Sequence, residues 1–337
     1  MSELYRRDSS IDVLRFIGLS LIILAHSAPP DTIFNLRTFD VPLLLFVSGL
    51  TLFNKQPDFS IKAFIHRALR LVIPVYVFMT IYFILAVAIQ SKGINLNVTQ
   101  SDIIGTYLLL AGYVWIIRIF LIIGLLTPFL LYIRDHCSTF VVYGIAIITT
   151  VVLEIMISNG ILMDNIIVDK YVYYGLGYSV PFLISLKFPQ LSLKAQIGTI
   201  VMFVILLITC AVIYIKPLES GDSLIIFDRF KYPPQAYYLL YGIVGSLILY
   251  IIIVRMKLYK YLEIFSFIGC NTIWIFLYHT PIIQVLTKFT SLEWYVKYFI
   301  AYSVATALCV IQVKIVNIIQ NRYGNNKLSY ILKHLKG

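Results

Sequence analysis

The sequence predicts an all-α, polytopic membrane protein with about ten transmembrane helices. Sixty per cent of its 337 residues are hydrophobic and only 13% are charged. Its mean hydropathy is +0.89, well above that of a soluble domain of this length. The apolar residues gather into ten runs, most of them long enough to cross a hydrocarbon core of about 30 Å. Residues 1–337 read as a single transmembrane domain, with no soluble catalytic unit between the runs.

The first span is expected near 11–29, where Pro29 and Pro30 close the helix. It lacks a small-x-small cleavage site, so it reads as a retained helix rather than a signal peptide. The second span, near 39–54, is short, and its Ser48-Gly49 pair suits close packing between helices. The third runs near 68–90. The fourth, near 103–133, is too long for one straight crossing, and Gly105 and Gly112 predict a turn before Trp115. The others fall near 139–158, 171–186, 195–215, 236–254, 264–287 and 294–316, the sixth again short.

Ten spans place both termini on one side. With that side cytoplasmic, sixteen Lys and Arg lie inside, eight lie outside and three (Arg15, Arg118 and Lys314) fall within spans. This two-to-one excess follows the positive-inside rule. It accounts for most of the +11 net charge without nucleic acid as a partner. The basic tail 321–337 reads as an amphipathic segment on the inner leaflet, in contact with membrane lipids. The four cysteines are scattered and make neither a disulfide framework nor a metal spacing, so no metal is expected.

Ionisable residues inside spans mark functional sites. Arg15 and His26 lie eleven steps apart on the first span, close to three turns, so they share a face over about 16 Å. That face reads as a polar pathway, with a guanidinium low in it and an imidazole, the usual general base near neutral pH, high in it. Arg67 and Arg70, three apart at the start of the third span, share a face that suits a phosphorylated ligand. Trp115 and Arg118 sit in Tyr-Val-Trp-Ile-Ile-Arg, and Glu154 of the fifth span is the acidic partner expected for Arg118 by depth. His279, just before Pro281 in the ninth span, is expected at the depth of His26. No nucleotide, dinucleotide or metal fingerprint is present.

Taken in order, Ser10-Ile-Asp-Val-Leu-Arg15 leading to His26, Asp40-Val-Pro-Leu-Leu-Leu-Phe-Val-Ser-Gly49, Arg67-Ala-Leu-Arg70 with Pro74, Trp115-Ile-Ile-Arg118 with Pro128, and Asn271-Thr through Tyr278-His279 with Pro281 resemble the membrane acyltransferase family called acyltransferase 3. The pieces cover most of the chain. Ile119 departs from the pattern, standing where an Asp often follows Arg118. The resemblance implies a ten-helix O-acetyltransferase of the bacterial inner membrane, with both termini cytoplasmic. Such an enzyme moves an acyl group, usually acetyl, from cytoplasmic acetyl-CoA (acyl-CoA) to a hydroxyl of a carbohydrate acceptor, a surface polysaccharide or its lipid-linked precursor, alongside other glycan-assembly proteins. It further implies that His26 is catalytic, with Arg15 tied to activity and Arg67 and Arg70 to the acyl donor. Trp115, Arg118, Glu154 and His279 are candidates for supporting roles. A transporter or flippase of glycans or solutes, using His26 and Glu154 as a proton relay, is the alternative on residues alone, though no internal repeat supports it.

Overall fold

A computed structural model describes residues 8–94, 96, 98–110, 112–215 and 226–323. Among these residues all regular structure is helical: α1 Ser9–His26, α2 Asp31–Leu36, α3 Asp40–Thr51, α4 Ile61–Gln90, α5 Gln100–Tyr107, α6 Trp115–His136, α7 Thr139–Ser158, α8 Tyr173–Ser185, α9 Leu193–Ile215, α10 Ala236–Tyr250, α11 Ser266–Cys270, α12 Thr272–Phe289 and α13 Trp294–Tyr323. The expected basic tail falls, apart from 321–323, outside the described residues, as does most of the 216–235 loop before Ile226.

Local chemistry sets the helix starts. Asp8 caps α1 by accepting from the Ser10 N–H at 2.9 Å. Ser60 and Ser138 cap α4 and α7 in the same way. Thr99 and Asp102 form a reciprocal capping box at α5. The turn expected inside the fourth span is present, but not at Gly105, which lies within α5. The chain reverses at Leu109 and Gly112, both at positive φ, and a 3₁₀ turn over Gly112–Val114 leads into α6. Glycine carries that conformation without steric cost.

Eight helical stretches among the described residues are long and apolar enough to cross a membrane. The second of them joins α2 and α3 through Arg37–Phe39 as Asp31–Thr51. The two other expected spans exist as helices that fall short of that standard. α12 is diluted by His279, Gln284 and Lys288, and α8 has only 13 residues. A physical reason is visible for α8: it is buried along nearly its whole length and packs on α3, α6, α7 and α10. A helix enclosed by protein has no hydrocarbon thickness to match.

Helices α1, α3, α8 and α10 form the centre, while α4, α9 and α13 turn apolar side chains such as Ile84, Ile205 and Phe299 outward. The close packing expected at Ser48-Gly49 is present. A Cβ on Gly49 would stand 1.8 Å from Ser185 Oγ and 2.7 Å from the Phe182 carbonyl oxygen, so α3 and α8 touch backbone to backbone there. At Gly269 the approach is as tight, with an added Cβ 1.9 Å from the Asp12 carbonyl oxygen, which binds α11 to α1.

Arg134, near the end of α6, joins that helix to the end of α3. It is 7% exposed and donates to the carbonyls of Leu52, Phe53 and Lys55 at 3.1, 2.6 and 2.7 Å. Those carbonyls lie just beyond the end of α3, so the guanidinium finishes one helix from the end of another.

Candidate active site

α1 ends at His26 because Ser27 turns back: its N–H reaches the Ile23 and Leu24 carbonyls, and its hydroxyl donates to Ile23 at 2.9 Å. Ala28 then takes a positive φ, and Pro29-Pro30 carries the chain into α2. The imidazole is thereby left at the helix end, where it opens on a cavity of about 200 Å³. Arg37, Asp40, Trp115, Lys231 and Tyr232 share its wall.

His279 of α12 meets His26 directly. Nδ1 of His26 and Nε2 of His279 lie 2.7 Å apart, and the rings are nearly parallel with centroids 5.0 Å apart. His279 is fully buried, and its Nε2 also lies 3.2 Å from Thr280 Oγ1. Its Nδ1 turns toward the Ile275 and Phe276 carbonyls of its own helix without reaching good hydrogen-bond geometry. Only one proton serves the short contact between the rings. A proton on His279 Nδ1, beside those carbonyls, leaves Nε2 to accept from the Nδ1–H of His26. Nε2 of His26 then carries a free lone pair on a side chain that lines the cavity. That is the arrangement of a general base held in one tautomer by a neighbour.

Opposite stands a cluster that the sequence did not reveal. Arg37 Nη1 donates to Asp40 Oδ2 at 2.7 Å, and Lys231 Nζ lies 3.4 Å from Asp40 Oδ1. All three residues are at most 4% exposed. Burial pushes the Lys231 ammonium below the ordinary lysine value, and Asp40 opposes the shift. The ammonium also sits over the rings of Trp115 and Tyr232, 5.9 and 5.6 Å from their centroids. Trp115 stands edge-on to Tyr232 and to Tyr174 behind it.

Arg15 lies at the other end of α1. It pairs with Asp12 at 3.2 Å and lines a second cavity of about 370 Å³ with Thr51, Asn54, Lys55 and Tyr250. The two cavities share no lining residue, and Gly18 and Leu19 of α1 are buried between their ends. The shared face expected for Arg15 and His26 is thus divided into two chambers. Arg67 and Arg70 lie in the first turns of α4, at the Arg15 end of the bundle, on a helix that packs on α6 and α12. Neither lines the Arg15 cavity. Arg67 donates from Nε to the Ala63 carbonyl at 3.2 Å and keeps a buried Nη2 without a hydrogen-bond partner, while Arg70 is exposed.

The expected pairing of Arg118 with Glu154 does not form. Arg118 is buried and donates to the Leu109 carbonyl at 2.9 Å, an acceptor set free by the break before α6. It faces the rings of Tyr171 and Tyr174. Glu154 accepts from the Tyr214 hydroxyl and, at 2.8 Å, from the Ala236 N–H at the start of α10. Both charges therefore satisfy backbone groups at helix ends. Neither lines the His26 cavity, so the relay that a transporter would need between His26 and Glu154 has no counterpart in these contacts.

Eight helical stretches apolar enough to cross a membrane, packed around a cavity lined by a histidine, define the class as a polytopic helical membrane protein. The chain belongs to the acyltransferase 3 family: the family model, described as an acyltransferase domain, matches residues 8–313, nearly the whole sequence. It is a multi-pass membrane acyltransferase. No curated protein and no solved structure matches the chain.

Proposed function

We propose that this acyltransferase is an O-acetyltransferase of the bacterial inner membrane. It takes an acetyl group from cytoplasmic acetyl-CoA and passes it to a hydroxyl of a surface polysaccharide or its lipid-linked precursor, with both chain termini in the cytoplasm. The observation that carries the reading is the His26–His279 contact, which frees one basic nitrogen at the wall of a cavity. Support also comes from the aromatic side of that cavity. Sugar rings stack on faces such as those of Trp115 and Tyr232.

In this mechanism His26 Nε2 removes the proton of the acceptor hydroxyl as its oxygen attacks the thioester carbonyl. A carbon–oxygen bond forms, and the carbonyl electron pair moves onto oxygen. When that pair returns, the carbon–sulfur bond breaks, and the His26 imidazolium gives its proton to the leaving thiolate. His279 keeps the base in its working tautomer and shares the positive charge that passes through it. The Arg15 cavity, at the opposite end of α1, receives the anionic part of the donor, with Lys55 beside it and Arg67 and Arg70 at the same end of the bundle. Because Gly18 and Leu19 are buried between the chambers, the pantetheine arm reaches His26 only when helices around α1 part.

The test is incubation of the pure protein, reconstituted in sealed lipid vesicles, with radiolabelled acetyl-CoA and an acceptor glycan. Label is expected in the glycan as a base-labile ester. Label moved across a vesicle membrane without ester formation, or no acetyl-CoA consumption at all, would overturn the reading.

A further inference from the structure

The acyl-transfer chemistry just described places negative charge on the thioester carbonyl oxygen, and His26 cannot neutralise it. Two of the polar residues named above as candidates for supporting roles are already engaged. Arg118 is bound to the Leu109 carbonyl away from the cavity, and His279 uses Nε2 on His26. We propose that Lys231 is a further catalytic residue: its ammonium, anchored by Asp40 and Arg37, takes the carbonyl oxygen of the acyl group as that oxygen becomes an oxyanion. The proposal rests on the acyl-transfer reading.

Lys231 lines the same small cavity as His26. Its contact with Asp40 is long, at 3.4 Å, and occupies at most one of its three N–H donors. The rings of Trp115 and Tyr232 flank the ammonium and accept no strong hydrogen bond, so they screen it from water while leaving donors for a ligand. Arg37 donates to Asp40 at 2.7 Å and lies over Phe34 at 4.0 Å, which makes it the strut that holds the carboxylate. Asp228 lines the cavity as well and balances the second cation without an ion pair to either. The cluster is thus neutral as a whole, with its positive end at Lys231. A donor fixed in advance in a site with little water stabilises developing charge without reorganising at the moment of reaction.

The balance of the step is unchanged from the mechanism above. The oxygen gains the carbonyl electron pair beside the Lys231 ammonium and returns it as the thiolate leaves, and Lys231 keeps its proton throughout.

Lys231→Met and Lys231→Arg are the informative variants, assayed for kcat and for the KM of acetyl-CoA. Loss of one oxyanion donor predicts a fall in kcat of about a hundredfold or more for Lys231→Met, with KM within about threefold of the parent. Lys231→Arg is expected to recover a substantial part of kcat. Elution as a single species in size-exclusion chromatography checks folding. If Lys231→Met fails that check, Lys231→Gln, which keeps a polar head against Asp40, takes its place with the same expected loss. An active parent whose neutral variant retains kcat, or loses only in KM, overturns the assignment alone. A parent that consumes no acetyl-CoA overturns the acyl-transfer reading and this assignment with it.

Discussion

His26→Ala is expected to reduce acetyl transfer by about a hundredfold or more while leaving the protein folded and able to bind acetyl-CoA. The effect should fall on kcat, because the imidazole acts on the acceptor hydroxyl as it attacks rather than on the docked donor. The side chain opens on a cavity at a helix end, so its truncation removes little packing. His279→Ala makes the comparison sharper. It leaves the base in place but removes the group 2.7 Å from its Nδ1. A smaller loss of kcat than in His26→Ala is expected, again with donor KM unchanged. Near-native transfer by folded His26→Ala would show that the base lies elsewhere.

The second large effect is on stability. Gly269→Ala places a methyl group 1.9, 2.5 and 2.8 Å from the O, C and Cα of Asp12. All three are backbone atoms, so no side chain can swing aside, and α11 must separate from α1. Overpacking commonly costs about 1–3 kcal/mol, and a clash of backbone against Cβ belongs at or above the top of that range. Separation also breaks the hydrogen bond that Cys270 Sγ donates to Asp12 Oδ2 at 3.3 Å. Gly144 is the matched control, since an added Cβ there meets nothing within 4 Å. Thermal unfolding in detergent should show a marked drop in midpoint for Gly269→Ala and none for Gly144→Ala. Equal midpoints would mean that α1 and α11 are not in close contact.

Much of the architecture could be read from the residues. The apolar runs located the helices, Pro29-Pro30 marked the end of α1, and the glycines before Trp115 announced a break, though its position at Leu109–Gly112 depends on local backbone conformation. The span count was harder. α8 is as apolar as a membrane helix but is enclosed by its neighbours, and hydropathy does not distinguish a lipid environment from a protein one.

Within the site, the depth argument places His279 near His26, yet nothing in the sequence sets a nitrogen of each ring 2.7 Å apart. Arg37, Asp40 and Lys231 were missed as a group because Arg37 and Lys231 counted as ordinary loop charges. Asp40 and Lys231 are 191 positions apart, and the packing of α10 on α3, together with the Asp228 N–H bond to Asn35 Oδ1, brings the approach to α10 over Asp40. A signal was present in the i,i+3 spacing of Arg37 and Asp40 at the entrance of a span, where an unpaired carboxylate would be costly. Arg118 and Arg134 teach a related lesson. Each sits near a point where a helix stops, and each donates to carbonyls released there. An arginine close to a predicted break is better sought among backbone acceptors than among acidic side chains of similar depth.

The wall formed by Trp115 has a practical consequence. Only three indoles occur in the chain. Trp274 packs beside Tyr278 within α12, and Trp294 opens α13 next to Tyr295, so both stand apart from the chamber of His26. With those two replaced by phenylalanine, the remaining indole lies beside an ammonium and a phenol in the wall of the His26 cavity. Its emission then becomes a built-in optical gauge of occupancy of the His26 cavity, allowing ligands to be screened by titration without radioactive or chemically tagged reagents.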